Sequence, residues 1–270
     1  MNFNNKRVGV IGAGAMGSAM IRGFLKAGLM QPQDMIASDL RDNALQELKR
    51  STSINITSDN SAVVQRSQVI IFAVKPDQVE NTLKEVASSI TVEHLVVSVA
   101  AGISISTFEK HLPSGVSVIR VMPNVPALIG EGMTALALGS KAGKDDQETA
   151  EALFSALGKV LTVQESELDA VTGISGCGPA YMVIILEALA DGGVKMGLSR
   201  QVALQLAVQT MIGTARMIQA TAEHPASLKD RVCSPGGSTI SGVHVLENGG
   251  LRGLLISAVE ASTKRSGELR

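Results

Sequence analysis

A strand, a glycine-rich turn and a helix at the start of the chain constrain its fold more than any other feature. Residues 7–11 are mostly β-branched, and residues 12–17 read Gly-Ala-Gly-Ala-Met-Gly before a helical pattern begins. In this G-x-G-x-x-G motif, Gly12 permits a tight turn, Gly14 lets a pyrophosphate approach the backbone, and Gly17 lets the helix pack close to the strand. The motif therefore predicts a dinucleotide-binding site. Its expected contact residues are Gly12, Gly14, Ala15, Met16 and Gly17.

Further short apolar runs predict the rest of a parallel sheet. Residues 67–74 contain a continuous apolar run, as expected of a strand that is buried on both faces. Strand patterns stop at about residue 165, and only helical patterns follow. The sequence therefore predicts an α/β chain with two domains. Residues 1–164 would form an N-terminal Rossmann-type, doubly wound, mainly parallel sheet, and residues 165–270 an all-helical C-terminal domain.

The predicted C-terminal helices include one that a single chain cannot easily cover. Ser199 is suited to cap a helix that runs to about residue 222, and residues 201–215 within it carry no charge. A helix so poor in charge is normally buried all round. About a hundred helical residues cannot easily bury it alone. We therefore expect that a partner chain covers it.

Composition excludes several kinds of partner. A net charge of −1 and 2% aromatic residues argue against binding to nucleic acid or to an acidic membrane surface. The two cysteines, Cys177 and Cys233, stand far apart, and the four histidines do not fall at metal-ligand spacing, so we expect no metal. The longest uncharged run, residues 170–186, is short for a membrane span, and the N-terminus lacks a signal-peptide pattern. These features predict a cytoplasmic protein with a small-molecule substrate.

The second strand is predicted at residues 35–38. The residues after it lie about twenty positions past the glycines, where a Rossmann fold recognises the adenosine ribose. Asp39 can accept hydrogen bonds from both ribose hydroxyls of NAD, whereas Ser38 and Arg41 can hold the 2′-phosphate of NADP. Asp39 and Arg41 can instead serve only to cap the next helix. Because the signals conflict, we expect NADPH to be used and NADH to remain usable.

Two polar residues follow other predicted strands. Lys75 ends the run at residues 67–74, and Asn124 lies in a Met-Pro-Asn-x-Pro turn after a strand at residues 116–121. Ligands of doubly wound folds bind outside the carboxyl ends of the strands, so either side chain can lie near the nicotinamide. Lys75 can equally be a solvated loop lysine, and Asn124 an ordinary turn residue.

A segment near the C-terminus combines a Ser-Pro-Gly-Gly turn with a new helix start. Ser234 ends a short helical run, and Gly236 and Gly237 let the backbone approach a ligand without Cβ atoms. Ser238 and Thr239 then open the next helix, whose free N–H groups and positive dipole end attract anions. The segment predicts an anion cradle, with a plain helix-to-helix turn as the alternative.

Five stretches together resemble the pyrroline-5-carboxylate reductase family, and the match covers nearly the whole chain. These stretches are residues 12–17, 72–76, 122–124, 175–181 and 225–247. The last is the specific one, because a dozen of its residues fall at the family's spacing. The resemblance implies NAD(P)H-dependent reduction of 1-pyrroline-5-carboxylate to L-proline, the last step of proline biosynthesis. Together with the uncharged helix, it also implies a homodimer, either by itself or stacked into a larger ring of dimers.

The resemblance also implies which residues form the sites. The substrate carboxylate would lie at Ser234, Gly237, Ser238 and Thr239, beside Gly236. The adenine ribose would lie near Asn60, and the nicotinamide end near Ala73, Val74, Lys75, Pro76 and Asn124. Cys177 stands where many members have Ser, and Ser238 where Thr is frequent. Both residues are small, so these departures affect contact detail rather than the reaction.

The implied chemistry requires little from the protein. A protonated imine is already an electrophile, so the site must exclude water, hold the carboxylate and place the ring carbon against nicotinamide C4. Thr239 is the candidate for a hydroxyl near the imine nitrogen that assists protonation or orientation. Its alternative role is that of a helix N-cap only.

Two other functions fit parts of the sequence. A β-hydroxyacid dehydrogenase shares the Rossmann start and the helical second domain. Such enzymes resemble one another in having a catalytic Lys on the helix after a Gly-rich turn. The corresponding stretch here, residues 176–183, contains no Lys. A cofactor-sensing module without turnover is the other alternative. The intact anion segment argues against it.

Overall fold

The structure is a computed structural model that describes residues 6–268. Its eight strands form one sheet in the order β3-β2-β1-β4-β5-β6-β7-β8. The strands are β1 (Val8–Ile11), β2 (Met35–Ser38), β3 (Asn55–Thr57), β4 (Val69–Phe72), β5 (Leu95–Ser98), β6 (Ser117–Met122), β7 (Gly132–Leu138) and β8 (Gly158–Thr162).

Twelve α-helices accompany these strands among the described residues. Before residue 160 they are α1 (Ala15–Lys26), α2 (Asp42–Thr52), α3 (Asn60–Gln65), α4 (Val79–Val86), α5 (Ile105–His111) and α6 (Lys144–Ser155). After it they are α7 (Leu168–Val171), α8 (Gly178–Lys195), α9 (Arg200–Thr221), α10 (Pro225–Val232), α11 (Ser238–Asn248) and α12 (Leu251–Glu268).

The predicted doubly wound sheet is confirmed. Strand β1 pairs in parallel with β2 on one side and with β4 on the other, so the winding reverses at its carboxyl end. All four residues of β1 are buried, which agrees with its mostly β-branched sequence. A sheet of this kind binds ligands at the point of reversal, and Gly12 follows β1 there.

The sheet is mainly, but not wholly, parallel. Strand β7 runs antiparallel to β6, and β8 is parallel to β7. The link from β6 to β7 holds only the short 3₁₀ helix Val125–Ile129. Because a parallel crossover needs a dozen or more residues, this link reverses the chain direction instead.

Two apolar clusters hold the helices on the faces of the sheet. In one cluster the rings of Phe24 and Phe154 meet edge to face, with centroids 6.1 Å apart. In the other, Phe72 and Phe108 do the same at 5.3 Å. Aliphatic side chains and Met fill most of the remaining core, since the chain has few aromatic residues.

The chain divides into two compact units. The sheet unit extends to Gly176 and takes in the chain again from Ser262, and the helical unit is Cys177–Ala261. The domain boundary between residues 164 and 165 stays a prediction. Helix α9 begins as expected, because the Ser199 hydroxyl oxygen accepts a hydrogen bond from Val202 N.

The helical unit buries few of its apolar side chains within one chain. Along α9 only Ala203 and Ala207 are buried, whereas Leu206 is 56% exposed. This exposure agrees with the expectation that a single chain cannot bury this helix by itself. The apolar surface of α9 exceeds what the rest of the helical unit can cover.

Among the described residues, one helical stretch, Glu165–Lys195, is long and apolar enough to cross a membrane by length and composition alone, since an 18-residue window within it has a mean hydropathy of 1.5. We expected residues 170–186 to be too short for such a span. The stretch is longer than residues 170–186 because four helical elements follow one another. They are a 3₁₀ turn, α7, a π-helical turn at Thr172–Gly176 and α8. An apolar helix that packs against a partner chain meets the same criterion.

Candidate functional site

Two residues of the glycine loop, Gly12 and Gly17, lie where there is no room for a side chain. Gly12 has a φ of +103°, and a Cβ there would lie 2.7 Å from the carbonyl of Ala73. A Cβ at Gly17 would overlap the carbonyl oxygen of Gly12. The tight turn and the close packing of helix against strand are thus both sterically required.

Gly14 meets a different requirement. It is the N-cap of α1 and provides no side-chain cap, so the first-turn N–H groups of the helix stay available to a ligand. A Cβ at Gly14 would meet only the Arg41 Nη2 atom, at 3.8 Å. The space in front of this helix start is therefore open and lies beside a guanidinium group.

A cavity of about 780 Å³ opens at this edge of the sheet. It brings together most of the residues predicted at the cofactor: Gly12, Gly14, Ala15, Met16, Asp39, Arg41, Asn60, Ala73, Val74, Lys75 and Pro76. It leaves out Gly17, Ser38 and Asn124. Gly17 supports the cavity through its contact with Gly12.

Asp39 and Arg41 form an ion pair on the cavity wall. Arg41 Nε donates to Asp39 Oδ1 at 3.1 Å and Nη2 donates to Oδ2 at 3.2 Å. Burial raises the pKa of Asp39, but the hydrogen bonds and charge of Arg41 outweigh it, so the pKa lies below its ordinary value. The side chain of Arg41 is 66% exposed and that of Asp39 is 10% exposed. The guanidinium is thus the accessible partner.

Ser38 lies behind the cavity wall rather than on it. Its side chain is fully buried, and its hydroxyl donates to Asn60 Oδ1 at 2.7 Å. In this structure the hydroxyl therefore orients Asn60, which lines the cavity. A contact between Ser38 and a 2′-phosphate stays a prediction.

Lys75 follows β4 and is exposed at the cavity, ahead of a 3₁₀ turn at Pro76–Gln78. Asn124 lies elsewhere, and its amide is already engaged. Its Oδ1 accepts from Met133 N at 2.9 Å, and its Nδ2 donates to the Ser175 carbonyl at 3.1 Å. The side chain of Asn124 therefore connects β6, β7 and the π-helical turn rather than facing the cavity.

The predicted anion segment forms a turn between α10 and α11 in the helical unit. Gly237 N donates to Ser234 O at 3.0 Å, and Gly236 has a φ of +67°. A Cβ at Gly237 would overlap the Ser234 hydroxyl oxygen. Gly237 is therefore required because the side chain of Ser234 approaches it. The sequence pattern did not reveal this contact.

The start of α11 differs from the expected one. Gly237 is the N-cap and makes no side-chain cap, while Ser238 and Thr239 occupy the first turn. Thr239 is thus not the N-cap that we offered as its alternative role. The first-turn N–H groups and the two hydroxyls lie together at the positive end of the helix. This arrangement can hold a carboxylate.

Sequence reasoning missed a polar face of α4 that lines the same cavity. Gln78, the N-cap of α4, is followed after three and four positions by Asn81 and Thr82, and Glu85 follows these after four and three, as on one face of a helix. Their spacing after Lys75-Pro76 was the signal that could have identified them. Leu40, which is 85% exposed, and the backbone around Ala100 complete the wall.

Two family models match the chain. Pyrroline-5-carboxylate reductase dimerisation matches residues 165–269, and NADP oxidoreductase coenzyme F420-dependent matches residues 7–102. The first contains the helical unit and the second contains the glycine loop, Asp39, Arg41 and Lys75. The expected need for a partner chain agrees with a dimerisation family.

Curated relatives and solved structures align over nearly the whole length. A pyrroline-5-carboxylate reductase of Methanosarcina acetivorans is 44% identical over 267 residues, which is 99% of each chain. The structure of a pyrroline-5-carboxylate reductase from Coxiella burnetii has a TM-score of 0.92 at 33% identity and covers 98% of this chain and 99% of its own. That of Plasmodium falciparum pyrroline carboxylate reductase with NADP bound has a TM-score of 0.88 at 31% identity and covers 98% of each chain.

Proposed function

Because this chain belongs to the pyrroline-5-carboxylate reductase family, we propose that it reduces 1-pyrroline-5-carboxylate to L-proline, the last step of proline biosynthesis, with a nicotinamide dinucleotide as reductant. The agreement over the full chain is the observation that carries this conclusion. It includes both the cofactor cavity and the segment around Ser234. A β-hydroxyacid dehydrogenase and a non-catalytic sensor are not favoured, because the relatives over this length are named as reductases of this one substrate.

The cavity of the sheet unit fits a dinucleotide. Gly12 and Gly14 would admit the pyrophosphate to the N-terminus of α1, where Ala15 and Met16 offer backbone N–H groups. Asp39 and Arg41 would meet the adenosine ribose, with Asn60 beside them. Ala73, Val74, Lys75 and Pro76 would line the nicotinamide end.

The preference for NADPH rests on Arg41. Its exposed guanidinium can hold a 2′-phosphate through paired N–H groups, whereas Asp39 alone would favour the free hydroxyls of NADH. Since both residues are present, we propose that NADPH is used and that NADH remains usable. Ser38 and Asn124 contribute by holding Asn60 and the π-helical turn.

The segment between α10 and α11 would hold the substrate carboxylate. Its contacts would come from Ser234, Gly236, Gly237, Ser238 and Thr239. When bound, the nicotinamide supplies the hydride that the imine carbon accepts. The protein binds the carboxylate, orients the ring and excludes water, and the Thr239 hydroxyl assists at the imine nitrogen. Cys177 need not act as a nucleophile, because the reaction forms no acyl intermediate.

The dimerisation match supports assembly, and we propose a homodimer, with a larger ring of dimers as an extension. We also propose a cytoplasmic location. The experiment that tests the function is NADPH oxidation by the purified chain on addition of 1-pyrroline-5-carboxylate, with L-proline identified as the product. Cofactor binding without any turnover would contradict the reductase and favour the sensor.

A further inference from the structure

We propose that Glu85 is a specificity-determining residue that recognises the base of the dinucleotide by accepting a hydrogen bond from the 6-amino group of adenine. The inference rests on the proposed function, because it assumes that the cavity holds the adenosine half of NADPH.

Two hydrogen bonds connect Glu85 to the end of β2. Ser38 Oγ donates to Asn60 Oδ1 at 2.7 Å, and Asn60 Nδ2 donates to Glu85 Oε2 at 2.9 Å. Asp39, the residue expected at the ribose, directly follows Ser38 in the chain. The connection therefore locates Glu85 at the adenosine end of the cavity.

The same two hydrogen bonds determine which carboxylate oxygen Glu85 presents to the cavity. The Ser38 hydroxyl donates, so the amide of Asn60 is held with its oxygen toward β2 and its NH₂ toward α4. One carboxylate oxygen of Glu85 is then occupied by Asn60. The other, Oε1, accepts no hydrogen bond among residues 6–268 and lies on a side chain that lines the cavity.

A carboxylate oxygen selects for a donor. The 6-amino group of adenine is such a donor, whereas hypoxanthine carries a carbonyl oxygen at the same position and would repel Glu85. A carboxylate oxygen held in this position disfavours the carbonyl of hypoxanthine more strongly than it favours the amino group of adenine. The cavity should therefore distinguish the two bases, although they have nearly the same shape.

The test compares the dissociation constants of reduced NADP and of its hypoxanthine analogue. Both are measured by nicotinamide fluorescence with the full-length protein and no substrate. The ratio of the two constants cancels the general effect of a negative charge near the phosphates. For the wild type we expect NADPH to bind about fivefold or more tightly than the analogue.

Glu85→Gln should remove or invert this preference. The glutamine oxygen would accept from Asn60, so its NH₂ would face the base and suit the hypoxanthine carbonyl. Glu85→Ala should bring the ratio close to one. Glu80→Gln is the matched control: it removes the same charge from α4, lies outside the cavity lining and should keep the wild-type ratio.

Equal binding of both cofactors by the wild type, or an unchanged ratio in Glu85→Gln and Glu85→Ala, would overturn the role of Glu85 and leave the reductase function intact. A wild-type protein that binds neither cofactor would instead contradict the proposed function itself, and the role of Glu85 with it.

Discussion

Among single residues, Asp39 and Arg41 have the most direct influence on the choice of cofactor. The pKa of Asp39 lies below its ordinary value of 3.8, so its carboxylate is ionised throughout the neutral range. The stabilising contribution of an acid with a lowered pKa is present above its unfolded pKa and is lost as the pH falls through the folded pKa. The ion pair of Asp39 and Arg41 should therefore persist throughout the neutral range.

Arg41→Ala should lower kcat/KM for NADPH by about tenfold while leaving that for NADH unchanged or improved. The substitution removes a charge-assisted contact worth about 1.5 kcal/mol, and it frees Asp39 for the ribose hydroxyls. Steady-state kinetics with both cofactors measure the effect. An equal loss for NADPH and NADH would mean that Arg41 does not read the 2′-phosphate.

Thr239→Ala should lower kcat/KM for 1-pyrroline-5-carboxylate by roughly ten- to a hundredfold, because it removes a charge-assisted hydrogen bond of about 1.5–3 kcal/mol. Gly237→Val should be at least as damaging, since its Cβ would displace the Ser234 hydroxyl. NADPH binding, followed by nicotinamide fluorescence, should stay near that of the wild type in both.

Thermal melts first establish that both variants fold. Near-normal kcat/KM in folded Thr239→Ala would remove its hydroxyl from the mechanism. Near-normal activity in Gly237→Val as well would refute the carboxylate site at this turn.

At the scale of elements, one carboxylate joins three parts of the sheet unit. Glu165 Oε1 accepts from Arg120 Nη1 on β6 at 3.2 Å and from Ile105 N at the start of α5 at 2.7 Å. The side chain of Arg120 is only 6% exposed. Glu165 thereby secures the 3₁₀ turn that leads into α7 and the π-helical turn.

Glu165→Ala should lower the free energy of unfolding by about 2 kcal/mol, because it leaves the buried guanidinium of Arg120 unpaired. Glu148→Ala is the control, since Glu148 pairs with Lys144 on an exposed helix surface and should cost less than about 0.5 kcal/mol. Denaturant titrations at one fixed protein concentration measure both. Equal losses in the two variants would show that the Arg120 contact adds no stability.

At the scale of the whole molecule, the exposed apolar surface of the helical unit requires a partner. Three apolar side chains along α9 are exposed by 39% to 56%: Val202, Leu206 and Ile212. Burial of a side chain of this kind is worth about 1.5–3 kcal/mol. A second chain that covers several of them would gain enough to form a stable dimer.

Leu206→Glu should weaken the dimer by placing a charge in the covered surface, and light scattering should detect smaller species at low protein concentration. Val92→Glu alters an equally exposed apolar residue of the sheet unit and should leave the assembly unchanged. A wild-type chain that is a stable, active monomer would rule out the dimer.

The sequence determined the features that a few neighbouring residues encode. The glycine loop, the predicted second strand Met35–Ser38 and the start of α9 after Ser199 all agree with the structure. Steric demands at Gly12 and the hydrophobic patterns of the strands act over short distances, so a local reading can find them. The family resemblance extended this reading to the whole chain.

Only the tertiary structure decided how distant polar groups pair. The Ser38 hydroxyl donates to Asn60, 22 positions away, and Asn60 in turn donates to Glu85, 25 positions further along. The amide of Asn124 is bound to Ser175, 51 positions away. No local pattern specifies such contacts, because a hydrogen bond depends on where the fold brings its donor and acceptor. That is why the sequence located the cavity but did not reveal that Ser38 holds Asn60 or that Glu85 lines the wall.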